Sequence, residues 1–227
     1  MKKIKINRPE ESSFNDIVLL LSAGFVVLFI MALIYVNPVA KIANIKKPIT
    51  ALITVTWPDE SAADVDIWVM SPDGTITNYM VKNPKQSPIS LDRDDLGSSN
   101  DTFFVDGEPV VVRKNYETVS FRFMQPGDYV STIHYYNNIS ELEDGAIIPV
   151  NVRLESFDPS YKLKYETKTP IMLSYIKQEV IAVRWSVDHK GNIYNVSTSP
   201  FLSLIDTYHL KQKMDREEQE EIQGIER

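Results

Sequence analysis

The chain has 227 residues, with 24 Lys+Arg against 31 Asp+Glu and a formal net charge of −7. That balance argues against a nucleic-acid binder, which needs a basic face. There is no cysteine, which excludes a disulfide scaffold, a thiolate zinc site and a cysteine nucleophile. Hydrophobic residues make up 43% and charged residues 24%, the composition of a chain that packs a core.

The first predicted element is apolar. From Ile17 to Val36 the sequence IVLLLSAGFVVLFIMALIYV carries no charge, and about 20 helical residues at ~1.5 Å each match a hydrocarbon core of ~30 Å. A secretory signal has a shorter apolar region and a small-residue cleavage site. Asn37-Pro38-Val39-Ala40 is a poor substitute for one, so the expectation is an uncleaved single-pass anchor. Lys2, Lys3, Lys5 and Arg8 precede the span and Lys41, Lys46 and Lys47 follow it. Together with the short leading tail, they predict a cytoplasmic N-terminus and an exported domain. Tyr35 suits the outer aromatic belt, and Ser22, Ala23 and Gly24 would let another helix approach closely.

Asp16 stands at the edge of this run. One reading places it in the first helical turn, where an acid complements the macrodipole, with Ser12, Ser13 or Asn15 as cap. The other makes it an ion carrier, because a carboxylate at membrane depth tends to take up a proton and release it to water.

A short basic tail, then Phe14-Asn15-Asp16-Ile17-Val18-Leu19-Leu20-Leu21, then Phe25 and Leu28-Phe29, resembles the B subunits of ion-driven rotary motors, the MotB, ExbD and TolR proteins. The resemblance covers about residues 8–40. It implies that Asp16 carries a proton or sodium ion and that two copies pair inside a five-subunit ring of a polytopic MotA/TolQ/ExbB-type partner. It also implies a bacterial cytoplasmic membrane with the following domain outside it. Nothing after the span resembles the outer domains of those proteins. Asn37-Pro38 ends the helix, and residues 37–48 are expected to be a linker or a plug-like segment.

From Ile49 the period changes to that of strands. Ile49–Trp57, Asp64–Met70, Ile76–Val81, Pro109–Val112, Thr118–Met124, Asp128–Tyr136, Ile147–Ser156, Tyr161–Thr167, Ile171–Lys177, Val180–Val187 and Asn192–Val196 read as strands. Turn signals at Ser71-Pro72-Asp73-Gly74, Gln125-Pro126-Gly127-Asp128, Phe157-Asp158-Pro159-Ser160 and Asp188-His189-Lys190-Gly191 separate them. The expectation is an all-β sandwich over 49–200. Residues 201–227 would add a short charged helix or tail, Phe201, Leu202, Leu204, Ile205, Tyr208 and Leu210 packing on the sandwich.

Ala63-Asp64-Val65-Asp66-Ile67-Trp68-Val69, Ser71-Pro72-Asp73-Gly74, Leu91-Asp92-Arg93-Asp94-Asp95, Pro126-Gly127-Asp128-Tyr129 and His134-Tyr135-Tyr136 resemble a bacterial β-sandwich family of the carbohydrate-binding-like kind. That supports the fold and leaves the ligand open.

Asp64 and Asp66 share a strand face, while Asp92, Asp94 and Asp95 crowd an expected loop. Gathered carboxylates suit Ca²⁺, which takes several oxygen ligands. The alternative is a solvated edge and an acidic turn. Trp57, Trp68 and Trp185 with Tyr79, Tyr135 and Tyr136 would serve either as core or as a sugar platform. Asn100, Asn138 and Asn195 head glycosylation sequons.

Glu108, Glu117 and Glu155 show no spacing that makes a glycosidase pair, and His134, His189 and His209 are scattered. No phosphate loop, nucleophile elbow, zinc-protease motif or catalytic triad is legible, so no enzyme is expected. The leading expectation is a motor subunit in which Asp16 carries the ion and the sandwich couples to an external load. The alternative is an anchored module that binds glycan, Ca²⁺ or protein.

Overall fold

The computed structural model describes residues 9–36, 48–138, 146–157 and 160–225. The start of the expected cytoplasmic tail, residues 37–47 of the linker or plug-like segment and the Asn138 sequon beyond its first residue lie outside them. The chain forms two compact units, Met1–Lys46 and Lys47–Arg227.

In the first unit, α1 runs Pro9–Val36 over 28 residues. Pro9 suits an opening position, where its missing N–H removes no helical bond. Within α1, Ser13–Leu33 is long and apolar enough to cross a membrane. Ser22, Ala23 and Gly24 are exposed on it. The helix begins seven residues before Asp16, not beside it. Ser12, Ser13 and Asn15 therefore lie inside the helix, and Asp16 stands beyond the first turn in which the macrodipole acts.

The second unit is mostly β. Its strands are β1 (Ala51–Thr56), β2 (Ala63–Met70), β3 (Ile76–Thr77), β4 (Ile89–Arg93), β5 (Thr102–Val105), β6 (Glu108–Val111) and β7 (Tyr116–Phe121), followed by β8 (Gly127–Asn138), β9 (Ile148–Ser156), β10 (Lys162–Glu166), β11 (Ile171–Leu173), β12 (Glu179–Val187) and β13 (Ile193–Ser197). One sheet has the order β10-β9-β1-β7-β4, with β11 extending the same edge of β9, and the other has the order β13-β12-β8-β2-β3. Strands β5 and β6 form a separate hairpin.

Alternation builds the core. Ile53 and Val55 of β1, Val119 and Phe121 of β7, and Val152 and Leu154 of β9 turn one face of the first sheet inward. Val65, Ile67 and Val69 of β2 with Ile133, Val183 and Trp185 of the second sheet meet them. The second sheet is also covered on its outer face, where Trp68, Val130 and Ile181 pack with Leu204 of α2 (Leu204–Ile225). Hence β2 is buried along nearly its whole length.

Helix α2 has 22 residues and is longer than the short helix expected. Ser203 Oγ accepts the Asp206 N–H at 3.1 Å, an N-cap. Glu179 of β12 accepts the Leu204 N–H at 2.8 Å, and Lys213–Glu217 adds an i,i+4 pair at 3.7 Å.

Three strand expectations are corrected. Ile76–Val81 is strand only at Ile76–Thr77, because Asn78 Oδ1 accepts the N–H groups of Met80 and Val81 and turns the chain. Ile171–Lys177 stops at Leu173, where a turn closed by Gln178 N–H to Tyr175 O takes over. Asp92, expected in a loop, instead belongs to β4, which pairs with β7 from Ile89↔Phe121 to Arg93↔Thr118.

Candidate metal centre

The centre forms where a strand lacks a neighbour. Strand β3 pairs only with Val69 and Met70 of β2, so the earlier half of β2 has an open edge on that side. Glu117, projecting from β7 of the other sheet, fills the gap. Its Oε2 accepts the Ile67 N–H at 2.7 Å and its Oε1 accepts the Asp95 N–H at 3.2 Å. One carboxylate thus joins β2 to the segment after β4. Gly97 seals that segment against β2: at φ +58°, an added Cβ would lie 2.5 Å from the Ala62 carbonyl oxygen, closer than any side chain tolerates.

Carboxyl oxygens of Asp66, Asp94 and Glu117 all lie within 4.8 Å of one another. Two oxygens bound to one Ca²⁺ at about 2.4 Å each stand at most ~4.8 Å apart, so the spacing is compatible with a shared cation. Asp64 is 7% exposed and its Oδ1 has no hydrogen-bond partner. Asp94 Oδ1 is likewise buried and unpartnered, while its other oxygen meets Lys82 Nζ at 2.6 Å. Asp66 Oδ2 lies 3.3 Å from His134 Nδ1. Native proteins pair nearly all such buried polar atoms, and a bound cation would satisfy the two carboxylate oxygens left open beside three more acids.

The electrostatics agree. Burial, reinforced by the charges of Asp66, Asp94 and Asp95, pushes the Asp64 carboxyl up to about 8. Burial also raises Glu117 well above the usual carboxylate range, with Asp66 adding to the effect against two backbone hydrogen bonds. Asp66 is raised by burial too, although His134 opposes the shift. Without a cation burial favours the protonated form of each group, and a bound cation would favour its release.

Sequence reasoning named Asp64, Asp66, Asp92, Asp94 and Asp95. The structure brings Asp66 and Asp94 together, with Asp64 within electrostatic reach of both. Asp92 is not brought in: it is exposed at the irregularity between Leu91 and Arg93, where it accepts a bond from Ser90 Oγ at 2.7 Å. Asp95 is buried, but its oxygens are taken by Arg93 at 2.7 Å and the Gly97 N–H at 3.1 Å. It anchors the loop. Arg93 in turn bonds the carbonyls of Lys114 and Tyr116 and lies 4.1 Å over the Tyr116 ring.

Glu117 was missed as a ligand. Its signal was present: it occupies the inward register of β7 with Val119 and Phe121, an acid where alternation calls for an apolar side chain. Glu108 is exposed on β6 and Glu155 bonds Tyr161, so the three glutamates do not converge. Trp57, Trp185 and Tyr135 are core, whereas Trp68 packs on the outer face of the second sheet with Tyr79.

No family model matches the chain, and no curated protein does. A solved structure, described as the crystal structure of SAV2460, a protein of unknown function, is similar to this chain at 12% identity with a TM-score of 0.37. The similarity covers 66% of this chain and 88% of that one.

Proposed function

We propose that the protein is a membrane-tethered β-sandwich module that binds a divalent cation, Ca²⁺ before others, between β2, the segment after β4 and Glu117. The supporting observation is the convergence of Asp66, Asp94 and Glu117 oxygens within 4.8 Å beside the buried, unpartnered Oδ1 atoms of Asp64 and Asp94. All donors are carboxylate oxygens, the set hard cations select. Bound there, the cation would fasten the Asp94–Gly97 segment to β2. In this reading α1 crosses a bacterial cytoplasmic membrane with its N-terminus inside, and the sandwich lies outside.

Calorimetric titration of the full chain in detergent with CaCl₂ tests the reading. One tight site per chain is expected, with Glu117→Gln and Asp66→Asn each weakening it at least 10-fold and Asp92→Asn leaving it unchanged. Absence of binding in the wild type at millimolar Ca²⁺ removes the proposal.

A second reading is favoured by the position of Asp16. It lies inside the apolar window Ser13–Leu33 and past the first turn of α1, so neither capping nor the macrodipole accounts for it. An acid in that place suits ion carriage. The module would then be the outer part of a motor B subunit, paired with a second copy and ringed by a polytopic MotA/TolQ/ExbB-type partner. Asp16→Asn is expected to leave that partner co-purifying in unchanged ratio while ion flux in reconstituted vesicles falls to background. Flux equal to wild type would end this reading.

A further inference from the structure

On the outer face of the second sheet, beside α2, lies a cavity of about 510 Å³ that no step above uses. Its walls include Trp68 of β2, Tyr79 after β3, His134 and Tyr136 of β8, Lys177 before β12, and His209 of α2. The volume falls in the range of small-molecule sites, roughly 300–1,000 Å³.

Three observations define the occupant. The first is aromatic surface. Between Asp64↔Asn137 and Val65↔Tyr135 the β2–β8 register skips Tyr136, a bulge of the kind that re-aims a side chain. Tyr136 is 44% exposed, with its ring 5.4 Å from that of Tyr79.

The second is an orphan donor. Trp68 is 2% exposed, forms part of the wall, and its indole N–H has no acceptor among the described residues. A buried indole N–H ordinarily finds one. The third is the sign of the lining. Among the described residues it carries the Lys177 ammonium, the His209 imidazole and the His134 imidazole, whose Nδ1 meets Asp66 at 3.3 Å behind the wall, and no carboxylate. Lys177 is held at φ +71°, its N–H donated to the Tyr135 carbonyl at 2.6 Å.

From these we infer that the cavity is a binding site for a carboxylated saccharide. A sugar ring lays its C–H face on Tyr136 and Tyr79, its ring and hydroxyl oxygens accept from the Trp68 indole and the imidazoles, and its carboxylate pairs with Lys177. A flat aromatic acid fits less well. Its acceptors sit at one end, whereas the donors here come from β2, β8, α2 and the turn before β12.

The test uses the full chain in a sugar-free detergent with EDTA present, so that cation bridging plays no part. Trigalacturonate, a glucuronate oligomer and sialyllactose are titrated against tryptophan fluorescence and by calorimetry. At least one is expected to bind at or below millimolar concentration, and its methyl ester at least 10-fold more weakly. Tyr136→Ala and Lys177→Gln, both at the rim, should each weaken binding 10-fold or more while leaving Tm within a few degrees of wild type. Trp68→Phe, which keeps the ring and deletes the N–H, should weaken it as well. No binding by any of the three, equal binding of acid and ester, or unchanged affinity in Tyr136→Ala and Lys177→Gln overturns the assignment. Preferential binding of benzoate over all three sugars does so too.

Discussion

Ca²⁺ fixed at 100 times its pH 8 dissociation constant is expected to raise the Tm of the sandwich by roughly 5–10 °C at pH 8, and by much less at pH 5. The size follows from mass action: a ligand at that excess stabilises the state that binds it by about 2.7 kcal/mol, and a domain of this length shifts about 2–4 °C per kcal/mol. The pH dependence follows from the carboxyls. Asp64, with its pKa raised to about 8, holds a proton when folded across the range from about pH 4 to about pH 8, where the unfolded chain has lost it.

Stability of the cation-free protein therefore falls as pH rises through that window. Glu117 and Asp66, both raised, act in the same direction. Lys82 and Arg93 pair with Asp94 and Asp95, and His134 lies against Asp66; among the described residues no ion pair is made by Asp64 or Glu117. The cation takes the place of the missing protons, so its effect grows where they are absent. In Glu117→Gln the shift should vanish, and the cation-free Tm should fall as well, because both Glu117 oxygens accept backbone N–H groups and the amide nitrogen cannot. Scanning calorimetry at several pH values with and without Ca²⁺ checks all of this. A Tm increment independent of pH would count against these carboxyls as the ligands.

Trp185→Ala is expected to cost about 3–5 kcal/mol, as aromatic truncations in a core do, and so to remove a large share of the domain's stability. Trp185 is 1% exposed. Its ring stacks on Tyr129 at 5.1 Å with an angle of 6°, and both rings meet the edge or face of Phe121, at 5.7 Å and 5.9 Å. Phe121 belongs to one sheet while Trp185 and Tyr129 belong to the other, so the trio ties the two layers together. Denaturant unfolding of the variant should show a lowered midpoint. Loss of less than about 1 kcal/mol would mean the sheets are held elsewhere.

The strands with clean alternation were legible from the sequence. Ala51–Thr56 buries every second residue, and Ile148–Ser156 does the same from end to end. Strand β4 was harder, because Asp92 and Arg93 end it and its turn-like acids drew attention away from Ile89 and Leu91. Strand β5 failed for another reason: Thr102–Val105 is exposed throughout, so no burial pattern marks it.

At the candidate centre, Asp64, Asp66 and Asp94 could be named because they lie close together in sequence or in one strand. Glu117 could not be assigned to them. It meets Ile67 across 50 residues and Asp95 across 22, and only the packing of the two sheets creates those contacts. The same holds for the cavity walls, which come from β2, β8, α2 and the turn before β12, segments far apart in sequence.

Unpaired strand margins invite recruitment of foreign backbone, and proteins guard them with charge, kinks or cover. The margin of β2 before Val69 is guarded by Glu117, whose Oε2 already occupies the Ile67 N–H. An intruding strand would have to evict that acid into an apolar interior. Removing it, as in Glu117→Ala, would leave the buried Ile67 N–H without that acceptor. The same side chain thus gives the sheet an end as well as a ligand.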